Sequence, residues 1–420
     1  QILSWISPLE SWKRHSDVTS TRAEGVGEWL LETPEFRAWR QDRNDGSAGA
    51  ILFCRGAPGA GKTFICSLIA DTLCDETAGQ NVAIGCLYCD YRGQKEQTPA
   101  VMIGSLLRQF VTGLPEIPKA ITEAFLAARE HLGGRAPQLA KIMELLPGAL
   151  VRFQRVFICV DALDEIVPEQ KVGFLRSLRQ ILEKSPNARL FLTGRPHIQS
   201  QLENVIPLAM NIISIRPRLS DIERFLDTKL DTDPHYGAMD DSLRSEIMTK
   251  IPRDFSEMQL TLGLSFLLVN LQIDSILGEV TIGGRRKKLR EIRTGLSDAY
   301  TAALERIKQQ RGALSRFGIA ALMWISLAER PLLVDELCHA LAMEVGSLSI
   351  DTESVPSIET VVASCMGLVT IDHASSTVRL VHATLQEYLR DHQGNIFENP
   401  HATIAEVCLG YLGIESVRQL

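Results

Sequence analysis

The most constraining feature of the sequence is a glycine-rich loop set between an apolar run and an amphipathic one. Residues 51–66 read ILFCRGAPGAGKTFIC. The first four predict a buried strand, the residues after the loop predict a helix, and the loop matches G-x-x-x-x-G-K-[S/T] at every fixed position. A loop curled by glycines directs backbone N–H groups at phosphate oxygens, and the following helix adds its positive end. The sequence therefore predicts nucleotide phosphate binding by Gly56, Ala57, Pro58, Gly59, Ala60, Gly61, Lys62 and Thr63.

Two residues of this phosphate-binding loop (the P-loop) have distinct predicted roles. The Lys62 ammonium is expected to bind the β- and γ-phosphates, and the Thr63 hydroxyl is expected to be a ligand of Mg²⁺. The sequence does not decide whether the nucleotide carries adenine or guanine. The expected cofactors are therefore ATP or ADP, with GTP as an alternative, together with Mg²⁺.

A second apolar run ends in a cluster of acids. Residues 155–160 read RVFICV and lead directly into Asp161-Ala162-Leu163-Asp164-Glu165. A carboxylate at the carboxyl end of a central strand is suited to holding Mg²⁺, which predicts Asp161 as a metal ligand. Hydrolysis also needs a base that orients water. Asp164 and Glu165 are both candidates, and the sequence does not choose between them.

A further strand ends in an arginine. Residues 187–193 read NARLFLT and are followed by Gly194 and Arg195. At the carboxyl end of a strand, Arg195 could reach a γ-phosphate and report its presence. An arginine that forms an ordinary salt bridge in a loop is the alternative.

These segments predict an α/β fold with a five-stranded, mainly parallel sheet, followed by a helical domain and a winged-helix domain. The strands are expected at 51–54, 81–91, 155–160, 187–193 and 211–215. The expected domains are an N-terminal flanking segment (1–46), a P-loop nucleotide-binding domain (47–217), a helical domain (218–290), a winged-helix domain (291–392) and the start of a further helical region (393–420). Thr384 is expected to cap a helix of the winged-helix domain.

Charge and composition limit the possible partners. The chain has 420 residues and a formal net charge of −7, and residues 331–390 contain eight acidic and two basic residues. Neutralising phosphates needs the opposite sign, so nucleic acid is not an expected partner. The apolar run 260–277 is interrupted by polar residues, which favours a buried helix over a membrane span. A cytoplasmic location is expected. The basic run at 283–290 is interpreted as a solvated connector, with an anionic partner or a localisation signal as alternatives.

The segments GAPGAGKT, VFICVDALDE and FLTGRPH, in this order, resemble the NACHT-domain signal-transduction ATPases of the STAND class. The likeness is to the fungal heterokaryon-incompatibility and nephrocystin-like types, and extends to GVGEWLL, QEYL and HATIAEVCLGYL. Relatives commonly have Gly-Thr-Gly where this chain has Gly25-Val26-Gly27, at the position expected to contact the base.

The resemblance implies a switch that is closed with a diphosphate and open and oligomeric with a triphosphate. It implies that His382 contacts the β-phosphate in the closed state and that Arg195 senses the γ-phosphate. Effector domains or C-terminal repeats in a longer protein are further implied partners. The leading hypothesis is thus a slowly hydrolysing ATP (or GTP) switch of the kind used in innate immunity. The alternatives are a non-hydrolysing scaffold locked on ADP and, less favoured by the charge, a DNA-dependent ATPase.

Overall fold

The structure divides the chain into two units that are built from different elements. It is a computed structural model that describes residues 1–41, 49–90, 97–131, 134–259, 266–292, 295–343, 352–372 and 375–414. The first unit is Gln1–Arg224, and the second is Phe225–Leu420. The finer division into five domains stays a prediction.

The first unit is organised around a five-stranded sheet. Its strands are β1 (Ile51–Gly56), β2 (Val82–Tyr88), β3 (Arg155–Asp161), β4 (Ala188–Gly194) and β5 (Met210–Ile215). They lie in the order β2-β3-β4-β1-β5, and every pair is parallel. The predicted sheet is confirmed; Tyr91, placed at the end of the second predicted strand, lies outside the described residues. Because β4 lies between β1 and β3, the carboxyl ends of these three strands meet at one edge.

Helices accompany the sheet in the first unit. They are α1 (Ile2–Ile6), α2 (Ser11–Thr21), α3 (Pro34–Gln41), α4 (Lys62–Glu76), α5 (Pro99–Thr112), α6 (Lys119–His131), α7 (Leu139–Leu150), α8 (Pro168–Lys184) and α9 (Gln199–Val205). Along β1, Ile51 and Phe53 belong to one apolar cluster, whereas Leu52 and Cys54 belong to another. Successive side chains of a strand point to opposite faces, so both faces of the sheet are covered. This double cover explains why the strands are continuous apolar runs.

The second unit is mainly helical. After α10 (Leu219–Asp231), which contains the division between the units, come α11 (Asp241–Gln259), α12 (Phe266–Leu277), α13 (Ile282–Arg290), α14 (Leu296–Lys308), α15 (Ala313–Leu327), β6 (Leu332–Leu333), α16 (Val334–Ala342), α17 (Ile358–Ser364), β7 (Val369–Asp372), β8 (Thr377–Leu380), α18 (Ala383–Asp391), α19 (Gln393–Ile396) and α20 (Pro400–Gly413). Strands β6, β8 and β7 form a small antiparallel sheet among these helices, as a winged helix requires. Residues 260–265 of the apolar run lie outside the described part. No helix within the described ranges is long and apolar enough to cross a membrane.

The interpretation of residues 283–290 as a solvated connector is wrong. These residues form α13, and Arg285 on this helix has no exposed surface. Its guanidinium donates to the buried carboxylate of Asp233 at 2.6 and 3.3 Å and to two backbone carbonyl oxygens. A buried charge needs this kind of complete pairing, which a count of basic residues does not show.

Candidate nucleotide-binding site

The P-loop joins β1 to α4 through backbone conformations that suit glycine. Gly59 and Gly61 have φ values of 72° and 89°, in the left-handed region, and α4 begins directly after Gly61 at Lys62. A residue with a Cβ atom is strained at such angles. The sequence therefore provides glycine where the loop must turn back over the start of the helix.

The Lys62 side chain lies over its own loop. Its ammonium donates to the carbonyl oxygens of Gly56 and Ala57 at 3.0 and 2.9 Å. Burial lowers the pKa of Lys62, and the nearby carboxylates of Asp164 and Asp161 oppose this effect. The P-loop and the acidic cluster that follows β3, which the sequence predicts separately, are therefore neighbours in the fold.

Asp161 is the buried centre of the site and is 2% exposed. Its two carboxylate oxygens accept hydrogen bonds from Thr63 Oγ1 at 2.7 Å and from Thr193 Oγ1 at 2.6 Å. Burial raises the pKa of Asp161, although the bonds from Thr193 and Thr63 act in the opposite direction. A hydroxyl and a carboxylate held together at a P-loop are the oxygen ligands that Mg²⁺ takes, so these residues fit the ion.

Thr193, the second-last residue of β4, was not predicted from the sequence as part of this site. Besides binding Asp161, its hydroxyl accepts a hydrogen bond from the backbone N–H of Ala162 at 2.9 Å. Ala162 has φ 55° in the left-handed region, which turns the chain sharply after Asp161. Only the strand order brings Thr193 to this turn, and the sequence does not state the strand order.

Arg195 is held by the acidic turn. Asp164 accepts from the backbone N–H of Arg195 at 3.0 Å and forms an ion pair with its Nε at 3.0 Å. The Asp164 side chain is only 6% exposed. The salt bridge considered as an alternative for Arg195 is therefore present, and its partner is one of the two candidate bases.

A glycine-containing segment upstream of the P-loop packs on α4. Gly27 has φ 88°, and a Cβ atom there would come within 3.3 Å of the Ile65 side chain. The N–H of Gly27 and the indole N–H of Trp29 donate to the Asp221 carboxylate at 3.3 and 3.1 Å. Burial raises the pKa of Asp221. These contacts hold Gly27 and Trp29 beside the helix that follows the P-loop, in a segment for which the sequence left a base contact and a plain connector equally open.

His382 lies in the second unit, at the start of α18. Its Nδ1 accepts from the backbone N–H of Thr384 at 3.1 Å and also contacts the Thr384 hydroxyl at 2.9 Å. His382, and not Thr384, is thus the N-terminal cap of this helix. Its contact with a nucleotide stays a prediction.

Asp161→Asn is expected to stabilise the nucleotide-free protein by about 0.5–2 kcal/mol. Because burial raises the pKa of Asp161, the folded state holds its proton more tightly than the unfolded state does. Ionisation therefore reduces stability as pH rises above the unfolded value, and an uncharged amide removes that penalty. Thermal unfolding at pH 7 should show the gain, which should shrink as pH falls and Asp161 itself becomes neutral. A lower unfolding temperature for the variant at pH 7 would contradict the assigned charge state.

Protein-family models match two separate parts of the chain. Residues 25–195 match the family described as "Nephrocystin 3, N-terminal", and residues 305–398 match "GPI inositol-deacylase, winged helix domain". Vegetative incompatibility protein HET-E-1 of Podospora anserina is 23% identical over 372 residues, which cover 86% of this chain. The chain spans only 26% of the length of that relative.

Two solved structures align with most of the chain at low similarity. The Aeropyrum pernix ORC2 protein in ADPNP–ADP complexes is 13% identical, with a TM-score of 0.49 over 92% of this chain and 98% of that one. The Walker-type ATPase PABY2304 of Pyrococcus abyssi is 14% identical, with a TM-score of 0.40 over 89% of this chain and 99% of that one. Similarity at this level carries no statement about function.

The observed sheet places the P-loop, the Thr63–Asp161 pair and Arg195 at one edge, within the region that matches the nephrocystin 3 family. The antiparallel sheet of the second unit lies within the region that matches a winged helix. The geometry and these partial matches together support a NACHT-like, nucleotide-binding P-loop NTPase with a C-terminal winged-helix domain.

Proposed function

We propose that the chain is a nucleotide-operated signalling switch that binds ATP, or GTP, with Mg²⁺ and hydrolyses it slowly. The observation that carries this proposal is the meeting of Thr63, Asp161 and Thr193 around one buried carboxylate, beside the P-loop. When bound, Mg²⁺ would supply positive charge to the phosphates, and Thr63 and Asp161 would hold it. The P-loop N–H groups and Lys62 would hold the phosphates themselves.

Glu165 is the proposed base that orients the attacking water. The sequence does not decide whether Asp164 or Glu165 is the base, and the contacts of Asp164 favour different roles for the two residues. The Asp164 carboxylate binds Arg195 through both backbone and side chain, which suits a group that positions the arginine. Arg195 is in turn the proposed γ-phosphate sensor, because a guanidinium binds phosphate oxygens well.

Glu165→Gln tests this assignment. The amide keeps the size of the side chain and cannot take a proton, so phosphate release in a single turnover should slow by about 10²–10⁴-fold while ATP binding stays nearly unchanged. Glu169→Gln, on the exposed start of α8, is the matched control. If Glu165→Gln released phosphate at the normal rate and Asp164→Asn did not, Asp164 would be the base.

The nucleotide is proposed to set the state of the whole protein. With a diphosphate the chain would be closed, with His382 contacting the β-phosphate, and with a triphosphate it would open and self-associate. The Nδ1 of His382 accepts the capping hydrogen bond, which in the neutral ring leaves the proton on Nε2, the polarity that a phosphate oxygen needs. Light scattering of the chain with ADP and with a non-hydrolysable ATP analogue measures this change.

The proposed setting is the cytoplasm, without a nucleic-acid or membrane partner, and with effector or repeat domains of a longer protein as partners. The acidic balance of residues 331–390 supports the exclusion of nucleic acid. Salt-sensitive binding to duplex DNA would contradict it. If the protein held ADP permanently and never released phosphate, the function would instead be that of a locked scaffold.

A further inference from the structure

A buried lysine lies behind the acidic turn. Lys171, on α8, is 6% exposed, and its ammonium donates to the backbone carbonyl oxygen of Asp164 at 3.2 Å. Burial lowers the pKa of Lys171, and the neighbouring Asp164 carboxylate opposes that effect. An apolar side chain would fill this place without desolvating a charge. Packing alone therefore does not explain a lysine at this position.

Asp164 links this lysine to the tip of β4. Its carbonyl oxygen accepts from Lys171, and its carboxylate accepts from the backbone N–H and the Nε of Arg195, both at 3.0 Å. Asp164 thus accepts a hydrogen bond from Lys171 through its backbone and binds Arg195 through its side chain. Because the Lys171 ammonium holds the backbone of this turn, the Asp164 carboxylate is kept in a defined position beside Arg195.

We propose that Lys171 is a positioning residue that acts through Asp164 to set Arg195, and so helps the site distinguish a triphosphate from a diphosphate. The inference rests on the proposed function, in which Arg195 contacts the γ-phosphate. In this proposal Lys171 acts on the backbone of Asp164 and does not itself bind a phosphate. Its effect should appear only in the part of the affinity that depends on the γ-phosphate.

Lys171→Met in the full chain is the first test, with the affinities for Mg²⁺–ADP and for a non-hydrolysable Mg²⁺–ATP analogue measured by calorimetry. We expect ADP affinity to change by less than about twofold and affinity for the analogue to fall by about tenfold, the effect of loosening one charge-assisted contact. Lys184→Met, at the exposed end of the same helix, should change neither affinity. Lys171→Arg, which keeps the charge and donors, should recover much of the loss.

Two results would overturn the inference. An equal fall for both nucleotides would show that Lys171 only supports the fold, and unchanged affinities for both would show that it has no role. A wild-type chain that binds neither nucleotide would refute the proposed function instead, which keeps the two failures distinct.

A double variant separates action through Arg195 from an independent effect. If Lys171 works by positioning Arg195, then adding Lys171→Met to Arg195→Met should lower affinity for the ATP analogue little further. Losses that multiply would show that the two residues act separately and would overturn the relay.

Discussion

Lys62→Ala is expected to weaken the binding of both ATP and ADP by about 10- to 150-fold, since a charge-assisted hydrogen bond contributes about 1.5–3 kcal/mol. The Lys62 ammonium already lies at the mouth of the P-loop, against the carbonyl oxygens of Gly56 and Ala57. Phosphate oxygens entering the loop would take over these donors. Without the ammonium, the backbone N–H groups alone must balance the phosphate charge. Titration calorimetry with Mg²⁺ present measures the loss for each nucleotide.

The matched control is Lys119→Ala. Like Lys62, Lys119 is the first residue of a helix in the first unit, but it is exposed and no glycine-rich loop precedes it. It should bind both nucleotides as the wild type does. Lys62→Ala should not lower the unfolding temperature of the nucleotide-free protein, because burial already disfavours the charged form of Lys62. Unchanged nucleotide affinity in a folded Lys62→Ala protein would contradict the assignment of the P-loop.

Arg285→Met is expected to destabilise the second unit by about 3–5 kcal/mol. The substitution leaves the Asp233 carboxylate buried without its bidentate partner, and it removes donors from the carbonyl oxygens of Leu277 and Glu279. Hydrogen exchange of the full chain resolves the effect by segment. Amides of α13 should lose most of their protection, while the strands of the first unit should change little.

Arg286→Met is the control for this second prediction. Arg286 is the next residue of the same helix, but its ion pairs with Glu246 and Asp240 are half-exposed. Exposed pairs contribute about 0–1 kcal/mol, so protection of α13 should be nearly unchanged. If the two variants lost protection equally, the buried pair would not be the source of the stability.

The buried Arg285–Asp233 pair also makes the stability of the second unit depend on pH in acid. Burial alone would raise the pKa of Asp233, but hydrogen bonds from Arg285 and the backbone N–H of His235 outweigh it and hold the pKa below its usual value. The contribution of this carboxylate is therefore complete at neutral pH. It declines once pH falls below about 3.9, where the unfolded chain takes up the proton first.

The sequence predicts well those features that depend on neighbours along the chain. The P-loop, its flanking strand and helix, and the acids after β3 are local patterns, and the structure contains each of them. The winged helix follows in the same way from helices succeeded by a short hairpin. The ion pair between Asp164 and Arg195 is not local, because its two members follow the ends of different strands.

Three features escaped the sequence because they depend on tertiary contacts. Thr193 joins Asp161 only because β4 lies between β1 and β3. Arg285 looks like one member of a solvated basic run until its helix turns it onto Asp233. Lys171 lies on an amphipathic helix, where a lysine normally faces water. Its burial is explained by its hydrogen bond to the backbone of the acidic turn.

The nucleotide carried by the purified full chain tests the central claim most directly. Denaturing the protein and separating the released small molecules by ion-exchange chromatography gives the base, the phosphate count and the stoichiometry. We predict close to one purine nucleoside diphosphate or triphosphate per chain, and none from Lys62→Ala. A chain that releases no nucleotide, and whose unfolding temperature does not rise with Mg²⁺ and either ATP or GTP, would contradict the account.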